Sequence, residues 1–301
     1  MSSPRNPAVP LVFAALVAGG LDAAAQAPAT TYSFTLTPVH EGTTNLDRGG
    51  EVGSTSLLAQ AGFQHFLSRQ WAIGGSLQYG RDDWRFTNPV AFGRQAPWDS
   101  VNRAAATVSA TYVAAGGLRW TVAPQIEYAA ESGAKSGESY GYGALLMAAK
   151  SFSQDLTLGL GLGAFRRIEE TTYIPFLIVD WQITPDLRLA NPFSAGPAGG
   201  AGLELSYAFA PRWDVGIGGA YRSFRFRLRE DGSTPNGIGQ YQLTPIFLRA
   251  GYSIDKTWQV NFYAGAAVGA KLVLENASAE ELASDKPGAT PIVGATISAR
   301  F

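Results

Sequence analysis

The 301 residues contain no cysteine, which removes disulfide frameworks, thiol nucleophiles and thiolate metal ligands together. That absence suits a chain that must cross an oxidising periplasm unfolded and unlinked. Histidine is nearly missing as well, with only His40 and His65 present, so no His/Cys cluster with transition-metal spacing can form. The formal net charge is −1, which excludes the global basic footprint of a nucleic-acid binder. No glycine-rich phosphate loop occurs. Beyond residue 27 no apolar run reaches the ~20 residues that a spanning helix needs. Cofactors, metals and nucleic acid are therefore not expected.

The N-terminal segment reads as a leader. Arg5 supplies a positive charge, residues 7–20 (PAVPLVFAALVAGG) form a short apolar stretch, and Ala23-Ala24-Ala25 fits the small-residue rule for cleavage before Gln26. Cleavage after Ala27 also fits but leaves Pro28 just behind the cut. We expect residues 1–25 to be an export signal and 26–301 to be one domain, with no plug domain ahead of its first strand.

What the chain does have is alternation. Residues 156–164 (LTLGLGLGA) place Leu156, Leu158, Leu160 and Leu162 on one face and Thr157, Gly159, Gly161 and Gly163 on the other. Residues 257–274 behave alike, with Trp258, Phe262, Leu272 and Leu274 on the apolar face and Gln259, Asn261, Gly269 and Lys271 opposite. Such runs exceed the five or six residues of a soluble strand and match the ~9–11 of a tilted membrane strand. Helix is excluded, because a turn of about 100° per residue scatters these positions around a cylinder.

The alternating segments repeat around tight polar turns at 67–70, 114–117, 153–155, 184–186, 210–212 and 255–257. Longer connections at 41–51, 83–101, 130–139, 194–200, 229–240 and 275–289 occupy the other end, and a shorter one lies near Glu169-Glu170. Short turns on one side and long loops on the other is the asymmetry of bacterial barrels, whose short side faces the periplasm. Adding a first strand near 31–40 and a last at 290–301 predicts an all-β, transmembrane, antiparallel up-and-down barrel. The count is about fourteen strands, or twelve if 31–40 or 187–193 pairs incompletely. Only residues 278–283 hint at helix, through a capping-box pattern.

Trp71, Trp120, Trp181, Trp213 and Trp258 all stand within three residues of the short turns, as Phe209 does. That is the place of an aromatic girdle at the periplasmic interface with outer-membrane lipid. The last strand alternates and ends on Phe301, the form of a signal read by the barrel-assembly machinery. The whole mature chain resembles a family of uncharacterised outer-membrane barrels. The resemblance is carried by YIPFLIVDWQITPDLRLANP (173–192) and GLELSYAFAPRWDVGIGGAYRSFRFRL (202–228). It implies the barrel scaffold and the outer membrane, and no activity.

Alternation also assigns a lumen. The apolar phase changes near Arg222-Ser223, implying a β-bulge. Beyond it Arg225, Arg227 and Arg229 alternate with Phe224, Phe226 and Leu228, so with Arg222 they are expected to form an inward arginine ladder. Arginine facing lipid near the midplane costs ~2–4 kcal/mol. Arg103, Arg119, Arg167, Arg188, Arg249 and Lys271 join them against Glu127, Asp180 and Glu204, giving a lumen that leans cationic. An arginine-lined, water-filled pore favours anions. Alternatively the arginines pair with those carboxylates and plug a narrow barrel. Inner-face glycines 159, 161, 163, 216 and 218 leave room for water or serve strand curvature. The aromatics Trp84, Phe86, Phe92 and Trp98 of 83–101 either fold inward as a constriction or bind an apolar substrate, or else form an outer girdle with loop packing.

An enzyme is not expected. Lipid-modifying barrels need a histidine base beside a serine near the outer leaflet. His65 sits by a short turn at the wrong end, and His40 has only Glu41, Thr43 and Thr44 beside it. The sequence thus favours a passive channel for small, anionic solutes, with a non-conducting surface barrel as the rival.

Overall fold

The computed structural model describes residues 30–191 and 202–301; the expected export signal and the 194–200 connection lie outside them. Sixteen strand segments follow one another: β1 (Thr30–Asn45), β2 (Glu51–Phe66), β3 (Trp71–Thr87), β4 (Ser100–Val113), β5 (Leu118–Glu131), β6 (Tyr140–Ser151), β7 (Leu156–Arg167), β8 (Glu170–Gln182), β9 (Leu187–Ala190), β10 (Gly202–Ala210), β11 (Trp213–Ala220), β12 (Arg222–Arg227), β13 (Ile238–Ser253), β14 (Trp258–Glu275), β15 (Glu281–Asp285) and β16 (Thr290–Arg300). β11 with β12, and β15 with β16, are each one strand interrupted. The molecule is therefore a closed antiparallel barrel of fourteen strands. β1 closes it by pairing with β16, from Ser33 opposite Arg300 to Glu41 opposite Ile292. Both β1 and the short β9 pair on both sides, which is why the count is not twelve.

The alternation works as the sequence implies. Leu77, Val108, Leu146, Leu160, Leu248 and Phe262 point outward and are exposed, forming an apolar belt around a ladder whose hydrogen bonds are satisfied by closure. The five tryptophans Trp71, Trp120, Trp181, Trp213 and Trp258 are half-exposed at the short-turn end, where Trp71 meets Tyr112 and Trp213 meets Tyr252. Phe301 bonds Tyr32 through both backbone groups and stands 6.2 Å from Trp258. Among the described residues no helix is long and apolar enough to cross a membrane; strands make the crossing, and the protein lies in the bacterial outer membrane. Leu160→Arg, on the belt at the middle of β7, is expected to cost ~2–4 kcal/mol. Equilibrium unfolding in lipid measures it, and a cost no larger than that of the inward Thr157→Arg contradicts the assigned faces.

Three expectations are corrected. Residues 278–283 form no helix; β15 pairs with the upper end of β14, from Leu272 opposite Asp285 to Glu275 opposite Glu281. Lys271 does not face the lumen. Gly269 adopts φ +61°, a conformation glycine takes without steric cost, and the β13–β14 register shifts beside it. Beyond this bulge the phase is inverted, so Leu272 and Leu274 turn inward into the core while Lys271 faces away, 3.7 Å from Glu281. The third correction concerns Arg222-Ser223. The ladder to β13 runs without a slip from Gly219 opposite Ile246 to Arg222 opposite Leu243. No bulge is present there. The change of pattern arises because β12 leaves the wall.

Candidate functional site in the barrel lumen

β12 and the upper end of β13 cross the extracellular half of the barrel. β12 pairs along β13 from Arg222 to Arg227, and at Arg227 it also pairs with Ala130 of β5. β5 and β13 lie half a circumference apart in the strand order. A strand that touches both is a crossbar, and its two faces meet different surroundings.

One face is apolar. Phe224, Phe226 and Leu228 were expected to face lipid, but Phe226 and Leu228 are buried in a cluster with Trp84, Phe92, Trp98, Val101, Tyr241 and Leu272. Trp98 is 1% exposed and meets Phe226 edge-on at 5.2 Å. The aromatics of 83–101 are thus neither an outer girdle nor an open binding surface. Trp84 and Phe86 lie on the inward face of β3, which extends to Thr87, and Phe92 and Trp98 fold in beneath the connection to pack on the crossbar. Arg222 shares this face and stacks on Phe224, as Arg103 does from β4 at 4.2 Å. Arg103 also binds Asp82 at 2.7 and 3.0 Å.

The other face is ionic. Arg225, 2% exposed, donates to the Ile168 carbonyl at 2.7 Å and to both carboxylate oxygens of Glu275 at 3.0 and 2.6 Å. Arg227, equally buried, donates to the carbonyls of Glu138 and Asn236 and reaches Glu169 at 3.4 Å. Arg229 lies half-exposed in the loop beyond, its backbone N–H on Glu131. The expected ladder is therefore split. Arg222 faces the aromatic side, Arg225 and Arg227 face the carboxylates, and Arg229 lies outside the barrel ladder.

Other inward arginines have carboxylate partners as well, Arg167 beside the crossbar and Arg188 and Arg249 around the vestibule. Arg167 binds Glu127 at 3.0 Å, Arg188 binds Asp180 at 2.7 Å, and Arg249 binds Glu204 at 2.8 Å and also Asp214. Pairing compensates the cationic wall read from the sequence. Nor do the inner glycines hold open water-filled space. A Cβ at Gly161 would strike the Phe176 ring, one at Gly163 would lie 2.7 Å from Phe165, and one at Gly216 would lie 2.7 Å from the Glu204 carboxylate. These positions are glycine because a neighbour's side chain lies across them.

Open volume remains at the periplasmic end. A cavity of about 430 Å³ lies between β8–β11 and β13–β14, bordered by Gln182, Arg188, Glu204, Asp214, Arg249 and Asn261. By contrast, the spaces beside the crossbar measure about 40 and 30 Å³, room for little more than a water or two. Among the described residues the lumen holds a polar vestibule at its short-turn end and an inserted strand in its extracellular half.

Sequence reasoning missed Glu275, Glu131 and Asp214. Asp214 is the legible one: it shares the even, inward phase of Gly216. Glu131 accepts the backbone N–H groups of Asp99 and Arg229 at 2.9 and 3.0 Å, tying two loops that nothing in the local pattern connects.

No family model and no curated protein matches the chain. Among solved structures, it is similar to an outer-membrane channel of Pseudomonas putida F1 (10% identity, 95% of this chain and 100% of that one, TM-score 0.49). It is also similar to the P. putida toluene transporter TodX (12% identity, 90% of each chain, TM-score 0.43) and to the KdgM porin in complex with oligogalacturonate (11% identity, 87% and 97%, TM-score 0.33). Likenesses at this level assign no activity.

Proposed function

We propose that the barrel is a passive channel for small polar solutes, seen here closed by its own β12. The observation that carries this reading is the vestibule of about 430 Å³ beneath a crossbar. That crossbar is held on one face by ion pairs and carbonyl contacts and on the other by aromatic packing. Both sets of contacts, with the single bridge to Ala130, can release while β12 stays paired to the upper end of β13 and the ladders that close the wall stay whole. The compensated arginines support little ion preference, in place of the anion preference expected from sequence.

The rival reading, a non-conducting barrel acting through its surface, is favoured by the apolar packing of the crossbar. Planar-bilayer recording separates the two. The intact protein is expected to be mostly silent with brief openings. A variant with residues 222–237 replaced by a short Gly/Ser turn is expected to conduct in steady steps, with a cation-to-anion permeability ratio within about twofold of unity. A correctly folded turn variant that stays silent establishes the non-conducting barrel.

A further inference from the structure

The small cavity of about 40 Å³ beside the crossbar has a charged lining. Arg103 of β4, Glu127 of β5, Arg167 of β7 and Ser223 and Arg225 of β12 border it. Two donors in this lining are unmet. Arg167, 6% exposed, gives Nε to Glu127 at 3.0 Å, but its Nη1 reaches no acceptor among the described residues. Ser223 is fully buried, and its hydroxyl has no partner there either. Alternation along β12 puts Ser223 in phase with Arg225, so this hydroxyl leaves the crossbar on its ionic side. One unmet donor thus belongs to the barrel wall and the other to the inserted strand, and a buried donor without a partner is costly.

In number, the surrounding charges leave no cationic excess. Arg103 pairs with Asp82 at 2.7 Å, Arg167 with Glu127 at 3.0 Å and Arg225 with Glu275 at 2.6 Å, while Glu170 stands 3.8 Å from Arg225. Direction is what distinguishes the cavity. All three guanidiniums border it, and of the four carboxylates only Glu127 does. The pairs of Arg103 and Arg225 therefore turn their positive ends towards it, as fixed dipoles that stabilise an anion without a net charge.

Size and chemistry narrow the occupant. About 40 Å³ has room for a monatomic ion or a water or two, and too little for an organic anion. A water accepts from a donor but brings no charge to the guanidiniums, and a charge-assisted bond is about twice as strong as a neutral one. A halide accepts from every side and needs no acceptor in return. We propose that the cavity binds a chloride ion, taken between Arg167 Nη1 and the Ser223 hydroxyl, and that the ion pins β12 to β7. This adds an anion-dependent latch to the closed state. The site rests on where the crossbar lies, not on whether the barrel conducts.

Hydrogen exchange on the full barrel in micelles tests it, in sodium chloride, sodium bromide and sodium gluconate at equal ionic strength. Gluconate is too large to enter. The β12 amides are expected to exchange about tenfold faster in gluconate than in chloride; bromide should restore protection, and the β2–β3 amides should not respond. Ser223→Ala removes a donor and no charge, so it should raise the half-saturating chloride concentration about fivefold, with folding checked by heat-modifiable gel mobility. Equal β12 exchange in chloride and gluconate, or a halide effect that Ser223→Ala leaves unmoved, means that the cavity holds water alone and overturns the proposal. Exchange is read without any current. A halide effect in a barrel that never conducts therefore refutes permeation alone, and a conducting barrel without the effect refutes the anion site alone.

Discussion

Arg225→Ala is expected to turn a silent barrel into a conducting one while leaving the barrel intact. The Arg225 guanidinium is buried, bonded through two nitrogens to Glu275 and through the third to the Ile168 carbonyl. Removing it strands the Glu275 carboxylate, itself mostly buried, without its counter-charge. Breaking one side of a buried pair costs ~3–5 kcal/mol, whereas replacing both sides with apolar groups of similar volume is often neutral. The cost falls on the crossbar, because Arg225 pairs only with Gln240 at the upper end of β13 and takes no part in the remaining ladders that close the wall. Open probability should rise sharply, protease should cut within 228–237, and heat-modifiable mobility should be unchanged. The paired replacement Arg225→Met with Glu275→Leu should return the silent, protease-resistant state. A single variant that stays silent and uncut means that the ionic face does not hold the crossbar.

The same residue shows where sequence reading succeeds and where it stops. The barrel was legible because lipid imposes one rule along every strand: apolar outward, closure of all hydrogen bonds. Leu156, Leu158, Leu160 and Leu162 announce that rule in nine residues, and the five tryptophans mark one end of it. That rule also kept Arg225 and Arg227 out of lipid. It says nothing about a strand that leaves the wall. On β12 the alternation continues unbroken, but both faces meet protein, so Phe226 resembles a lipid-facing residue while lying against Trp98. The phase inversion at Gly269 was hidden for a related reason: alanine at 270 suits either face, and only the glycine's φ of +61° sends Leu272 and Leu274 inward. The partners of the arginines are remote in sequence, Glu275 lying fifty residues from Arg225. Local periodicity carries no information on such pairs.

The apolar face of the crossbar should be as costly to damage as the ionic one. Trp98 is 1% exposed and meets Trp84, Phe86 and Phe226 edge-on at 5.8, 5.5 and 5.2 Å. Truncating a fully buried tryptophan to alanine costs ~3–5 kcal/mol, since the cavity adds to the lost burial. The contrast is Trp120→Ala on the girdle, where half the ring already faces lipid headgroups; that variant should remain silent in bilayers. Trp98→Ala should speed hydrogen exchange of the β12 amides and raise open probability. Because Trp98 and Arg225 grip one strand from opposite faces, the two losses are not independent. Once either has freed the crossbar, the contacts of the other are already broken, so the double variant should destabilise β12 by less than the sum of the singles, with a coupling of ~0.5–3 kcal/mol. Strict additivity would mean that the two faces restrain different elements, and that β12 does not move as one piece.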